Sequence, residues 1–189
     1  MNTNELRCVL ERALARPDST LRFGGVYPAD EVPTVAPSPS SSTDSCYCYV
    51  ANTDPHDKPG EHWVAFVALP NKCYEYFDPY GQPLEAYPTL YARMSHAAQC
   101  REPVATYIQP PISTTCGHFC IYFLCHRSMP NASFNVIVKR LLSVPMHSRD
   151  KFVYRYLFAL TRALNISRPC RDACKGSQCC RPPARLYRQ

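Results

Sequence analysis

The stretch "HWVAFVALPNKCYEYFD", residues 62–78, decides the fold. Its first part, 62–70, is a near-continuous apolar run of strand length, the pattern of a strand buried on both faces. Its last part, 73–78, is rich in aromatic β-formers and reads as a second strand. "NK" between them is a tight turn, so 62–78 predicts a β-hairpin. In such a hairpin the start of one strand lies beside the end of the other. His62 and Asp78 are therefore predicted neighbours from turn geometry alone.

Working outward, "CYCYVAN" (46–52) predicts another strand, joined to the hairpin by the turn-rich "TDPHDKPGE" (53–61). "VPTVAPSPSSSTDS" (32–45) is a Pro/Ser-rich loop. Downstream, a helix is expected over 85–98 and a strand over "PVATYIQ" (103–109), ended by Pro110-Pro111. Cys116 to about Arg127 has the all-round apolar character of a buried helix. "NASFNVIVKRLLS" (131–143) opens with Asn and Ser caps and continues with helical spacing. "SRDKFVYRYLFALTRALN" (148–165) carries Phe152, Tyr156, Leu160 and Leu164 on one face, and an N-terminal helix carries Leu6, Val9, Leu10 and Leu14. Helices at both ends with strands between them predict an α+β domain over 1–165, followed by a basic, Cys-rich tail over 166–189.

The chain has 189 residues, enough for one domain, and 46% of them are apolar, so a packed core is expected. No apolar run approaches the roughly 20 residues that span a bilayer. Glu5 and Glu11 stand where a signal peptide would be apolar, so a non-secreted protein is expected. Twelve cysteines would make a disulfide framework in a secreted chain; here reduced thiols are the expectation. The net charge of +6 is uneven. Arg168, Arg171, Lys175, Arg181, Arg185 and Arg188 face only Asp172 in the tail, which holds +5 and leaves about +1 for the rest. The tail is thus either a solvated end or a contact for an acidic partner such as nucleic acid. Cys170, Cys174, Cys179 and Cys180 lack a paired C-x₂-C spacing, so no metal is assigned to them.

Three cysteines fall in "PPISTTCGHFCIYFLCHR" (110–127). Cys116 follows a polar loop and opens the helix, where unpaired N–H groups and the helix dipole favour a thiolate. Gly117 leaves space for another segment to approach closely. Buried cysteines are also common and inert, and Cys120 and Cys125, inside the helix, read that way. A thiolate nucleophile needs a histidine base, and the base an orienting carboxylate. On a helix, His118 points about 200° away from Cys116 and His126 lies roughly 15 Å along the axis. His62, at a loop-to-strand junction, is the better base, with Asp78 as its partner rather than Glu61, Glu75 or Asp57. Gln109, seven positions before Cys116, could donate to an oxyanion together with the Cys116 N–H.

In the order His62, Asp78, Gln109, Cys116, these residues resemble the adenovirus-type cysteine proteases. "HWVAF", "YEYFDPYG" and "QPPISTTCGHFCIYF" carry the resemblance, with "FGGVYPAD" and "YVANTD" upstream, so it runs from about residue 22 to about 143. Proteases that remove ubiquitin-like modifiers share the order and a related core. The resemblance implies a permuted papain-like fold: a mixed central sheet with helices around it and the nucleophile at the start of a buried helix. It implies a cysteine endopeptidase with base His62, orienter Asp78, oxyanion donor Gln109 and nucleophile Cys116, and with Trp63 packed behind the site. The implied substrates are viral precursor polypeptides cut at Gly-containing sites during particle maturation, in the host nucleus and virion, by a monomer without a membrane. The chemistry needs no cofactor; DNA and a short viral peptide are the family's activators. The activating peptide is disulfide-linked to a cysteine upstream of the oxyanion glutamine. Cys100 lies in that region, off the family spacing. The adenovirus enzymes carry Glu at the acid position, whereas transposon relatives and modifier-removing enzymes carry Asp, as here. Two rival readings are removal of ubiquitin-like modifiers from host proteins, and a non-catalytic DNA-binding or capsid protein on a protease fold.

Overall fold

The 62–78 hairpin is the centre of the sheet in the computed structural model, which describes residues 1–33, 46–69, 73–95, 98–99 and 104–166. β1 (Leu21–Tyr27), β2 (Cys46–Asn52), β3 (Trp63–Ala68), β4 (Cys73–Phe77) and β5 (Ala98–Gln99) lie side by side in sequence order. The inner pairs β2–β3 and β3–β4 are antiparallel, and the outer pairs β1–β2 and β4–β5 are parallel. The helices are α1 (Thr3–Leu14), α2 (Pro88–Met94), α3 (Cys116–Arg127), α4 (Phe134–Leu142) and α5 (Met146–Ala163).

The sheet is covered on both faces, as the unbroken apolar runs require. Cys48, Val50, Ala65, Val67 and Phe77 pack with α1, α3, α4 and α5 in the larger core. Tyr49, Ala51, Val64, Phe66, Tyr74 and Tyr76, at the alternate positions, pack with Leu84, Leu90 and Met94 in the smaller one. In α3 every residue from Cys116 to Cys125 is buried, because the helix is enclosed all round. Side-chain caps set the starts of α1 and α4. Asn2 and Glu5 form a capping box on α1, a device worth about 1 kcal/mol. The Ser133 hydroxyl accepts from the Val136 N–H on α4.

Three expectations change. No strand forms over 104–109; instead the Arg149 guanidinium donates to the carbonyls of Tyr107 and Ile108 at 2.9 and 3.1 Å. The N–H groups of Ile108 and Gln109 both donate to the Pro79 carbonyl, at 2.9 and 2.8 Å. A ladder is not needed where a buried arginine and a turn carbonyl satisfy the backbone. The helix expected over 85–98 is shorter, preceded by a 3₁₀ turn at Leu84–Ala86 and followed by β5. β1 was not predicted, since Gly24 and Gly25 interrupt its β-forming pattern; the register with β2 shifts there.

Among the described cysteines, Cys8, Cys48, Cys116, Cys120 and Cys125 are free thiols. Cys73 is disulfide-bonded, so the expectation of reduced thiols does not hold throughout. Cys100, the cysteines and basic residues of the tail, and most of the Pro/Ser-rich loop lie outside the described residues. Among the described residues no helix is long and apolar enough to cross a membrane.

Candidate active site

The hairpin register pairs Ala65 with Phe77 and Ala68 with Tyr74, so His62, just before β3, and Asp78, just after β4, meet at one end of the sheet. His62 Nε2 lies 2.6 Å from Asp78 Oδ1. Both are buried, at 5% and 3% exposure. A buried carboxylate is tolerable only when its oxygens are well bonded. Asp78 Oδ1 also accepts from the Tyr80 N–H at 2.7 Å. Oδ2 accepts from the Tyr87 hydroxyl at 2.8 Å, the Gln82 N–H at 3.2 Å and the Tyr76 hydroxyl at 3.4 Å. The turn that supplies two of these donors depends on Gly81. Its φ is +67°, and a Cβ there would fall 2.2 Å from the Thr106 carbonyl oxygen.

With Nε2 donating to the carboxylate, Nδ1 is the nitrogen left for a thiol. It is buried and makes no hydrogen bond of ordinary geometry, yet Cys116 lies near enough for each group to shift the other's proton affinity. Burial alone would lower the His62 pKa, but the hydrogen bond to Asp78 and the proximity of Cys116 raise it to about 9. Burial alone would raise the Cys116 pKa; His62 and the N–H groups of Trp63 and Gly117 bring it below the ordinary thiol value. The directions are opposed, as in a thiolate–imidazolium pair. Burial drives Cys48 and Cys120 upward and Cys125 to about 11, so these are core thiols.

Gln109 is fully buried. Its Nε2 donates to the Ser113 carbonyl at 2.7 Å and lies 3.4 Å from the Tyr80 hydroxyl, while its Oε1 has no hydrogen-bond partner. Ser113 belongs to the loop that leads into Cys116. That loop is tied to α5 through the Thr115 hydroxyl, which donates to Asp150 Oδ1 at 2.7 Å. Trp63 packs against the larger core and donates from Nε1 to the Met1 carbonyl at 3.2 Å. The space beside Gly117 is filled from within the chain: a Cβ there would stand 3.3 Å from both Leu6 and Met1 side chains. His118 packs edge-on against Tyr154, and His126 stacks on Tyr122, so neither joins the site. Glu75 points to the α3 side of the sheet and pairs with Arg127 at 2.7 Å. Among the described residues no cluster of three metal-ligating side chains occurs.

Sequence reasoning missed the tyrosines. Tyr80 stacks on the His62 ring with centroids 4.5 Å apart, and Tyr76 and Tyr87 reach the carboxylate. The signal was present in the aromatic density of "YEYFDPYG", but strand propensity accounts for tyrosines equally well.

Comparison with known proteins adds a partial match. The chain is 34% identical over 95 residues to the protease of human adenovirus B serotype 3; the match covers 43% of this chain and 45% of that protein. This chain therefore spans less than half the length of the relative it matches. No family model matches. Among solved structures, the central domain of an uncharacterized protein, Lpg1148 of Legionella pneumophila, aligns over 88% of this chain and 98% of its own, with a TM-score of 0.47 and 13% identity.

Proposed function

We propose that this chain is a cysteine endopeptidase of adenovirus type on a permuted papain-like fold. The observation that carries the reading is His62: one ring nitrogen is bound to a buried carboxylate, and the other is left toward a thiol whose pKa is lowered at the first residue of a buried helix. The Cys116 thiolate attacks the scissile carbonyl carbon and forms a C–S bond. The negative charge that moves to the carbonyl oxygen is held by the Gln109 amide and the Cys116 N–H. His62 as imidazolium gives its proton to the leaving amine, and the C–N bond breaks. Water, deprotonated by His62, then hydrolyses the thioester and returns the thiolate. Asp78 keeps the imidazole in the required tautomer and steadies its charge.

The substrates under this reading are viral precursor polypeptides cut at Gly-containing sites during particle maturation, in the host nucleus and virion. DNA, through the tail residues, and a peptide, through Cys100, are the activators that follow from the same kinship. The test is Cys116→Ala with a Gly-containing peptide and, beside it, a fusion of a ubiquitin-like modifier. Peptide cleavage should vanish while the thermal melt stays near wild type. Full activity in the variant sinks the assignment, and cleavage of the modifier fusion alone reassigns the substrate.

A further inference from the structure

We propose that Tyr80 is the positioning residue of this site: its ring holds the His62 imidazole in plane, and its hydroxyl holds the loop that carries Cys116. The inference rests on the protease reading above and adds a residue that the four-residue pattern lacks.

Tyr80 meets the acid through its backbone N–H and the base and the nucleophile loop through its side chain. Its N–H donates to Asp78 Oδ1 at 2.7 Å. Its ring stacks on His62 at 4.5 Å with an interplanar angle of 25°. Its hydroxyl donates to the Ser113 carbonyl at 2.9 Å, the oxygen that also accepts from Gln109 Nε2, and lies 3.4 Å from that nitrogen. It is partly exposed, so filling the core is not what its ring does. Behind it, Tyr107 meets the ring edge-on at 6.4 Å and limits its swing.

The two halves of the side chain do separable work. A hydrogen bond to Asp78 fixes one point of the imidazole but leaves the ring free to tilt about that point. The stacked face removes the tilt and keeps Nδ1 directed at the thiol. An aromatic face also favours the protonated imidazole electrostatically, as it favours any cation resting on it. The hydroxyl acts at the other end. With Gln109 it gives the Ser113 carbonyl two donors, which fixes the loop into α3 and orients the amide that would face the oxyanion.

The test separates ring from hydroxyl. Two readouts are taken on wild type, Tyr80→Phe and Tyr80→Leu: the pH profile of Cys116 alkylation, followed by mass spectrometry of its own peptide, and kcat and KM for a Gly-containing peptide. Tyr80→Phe keeps the ring, so its alkylation profile should overlay wild type, while kcat falls about tenfold with KM little changed. Tyr80→Leu removes both, so the alkylation midpoint should also rise by about half to one pH unit. If Tyr80→Leu fails to melt cooperatively, Tyr80→Met takes its place. An unchanged profile in the ring-less variant together with an unchanged kcat in Tyr80→Phe overturns the inference. So does a loss in both variants that follows their loss of thermal stability. A wild-type Cys116 that titrates like an ordinary thiol and cleaves nothing defeats the protease reading instead, and that outcome is visible before any Tyr80 variant is made.

Discussion

The two nitrogens of His62 face neighbourhoods built on opposite lines. On the Nε2 side, one carboxylate collects five donors: an imidazole, two backbone N–H groups and two tyrosine hydroxyls. On the Nδ1 side, the nitrogen itself and Gln109 Oε1 are buried without a hydrogen-bond partner. Buried polar atoms are normally satisfied. Arg12 Nε, Arg16 Nε, His118 Nδ1 and Tyr122 Oη also lack a hydrogen-bond partner elsewhere in the molecule, so the proposed protease reading uses the contrast across the His62 ring, not the orphaned atoms by themselves. Under that reading the orienting half is saturated with donors and the reacting half is left unpaired. Asp78→Asn strikes the saturated half hardest, because an amide cannot accept everything the carboxylate does and favours the wrong imidazole tautomer. By analogy with an acid-to-amide change in another triad, kcat/KM should fall by about 10³–10⁴. A loss below tenfold would show that Asp78 is structural and that the contrast between the halves has no bearing on rate.

The open half is tested at Gln109. Gln109→Ala removes the proposed oxyanion donor and should lower kcat by about 10²–10³ with a smaller change in KM. The melt should fall by a few degrees, since Nε2 donates to the Ser113 carbonyl at 2.7 Å and the side chain is fully buried, but the Tyr80 hydroxyl still holds that carbonyl. An unaltered kcat would mean that the amide serves only to hold the Ser113 carbonyl. The pair of shifted pKa values sharpens the same point. His62 is raised to about 9 and Cys116 is lowered, so the thiolate–imidazolium state lies between the two titrations. Cleavage should therefore rise as Cys116 deprotonates below the ordinary thiol range. It should fall about tenfold per pH unit once His62 loses its proton above about 9, because no acid then remains for the leaving amine. Cys116 alkylation, which needs only the thiolate, should not fall there. A parallel decline of both would indicate unfolding rather than titration of His62.

How much of this could be read in advance follows from which features are local. The His62–Asp78 contact follows from two antiparallel strands only a few residues apart in sequence, and such a register is nearly determined by its own residues. Cys116 at a helix start is likewise local, since the hydroxyl-rich loop and the enclosed helix meet there in the sequence. What escaped was held by distant partners. Residues 104–109 have strand-like composition, but Arg149, some forty positions on, takes the carbonyls of Tyr107 and Ile108. Gly24 and Gly25 hid β1, whose place is set by pairing to β2. Tyr80, Tyr76 and Tyr87 each have an ordinary reason to be where they are, and only their convergence on Asp78 and His62 gives them a role.

The smallest effect is expected from Tyr87→Phe, and it is the most exacting test of the separation. Burial and the Asp78 charge push the Tyr87 pKa upward, so its hydroxyl stays a donor throughout the working range. Removing that oxygen deletes a bond to a charged group, worth about 1.5–3 kcal/mol. It orphans no donor, and Oδ2 keeps the Gln82 N–H and the Tyr76 hydroxyl. The bond to His62 runs through Oδ1, which Tyr80 also holds, so the imidazole should stay in place. The expected result is a melt lowered by a few degrees and kcat reduced only about two- to fivefold, with the alkylation profile of Cys116 unmoved. If kcat instead drops as far as in Gln109→Ala, with KM and the melt little changed, the carboxylate is tuned by each of its donors. The saturated half would then take part in the chemistry and not only in its alignment.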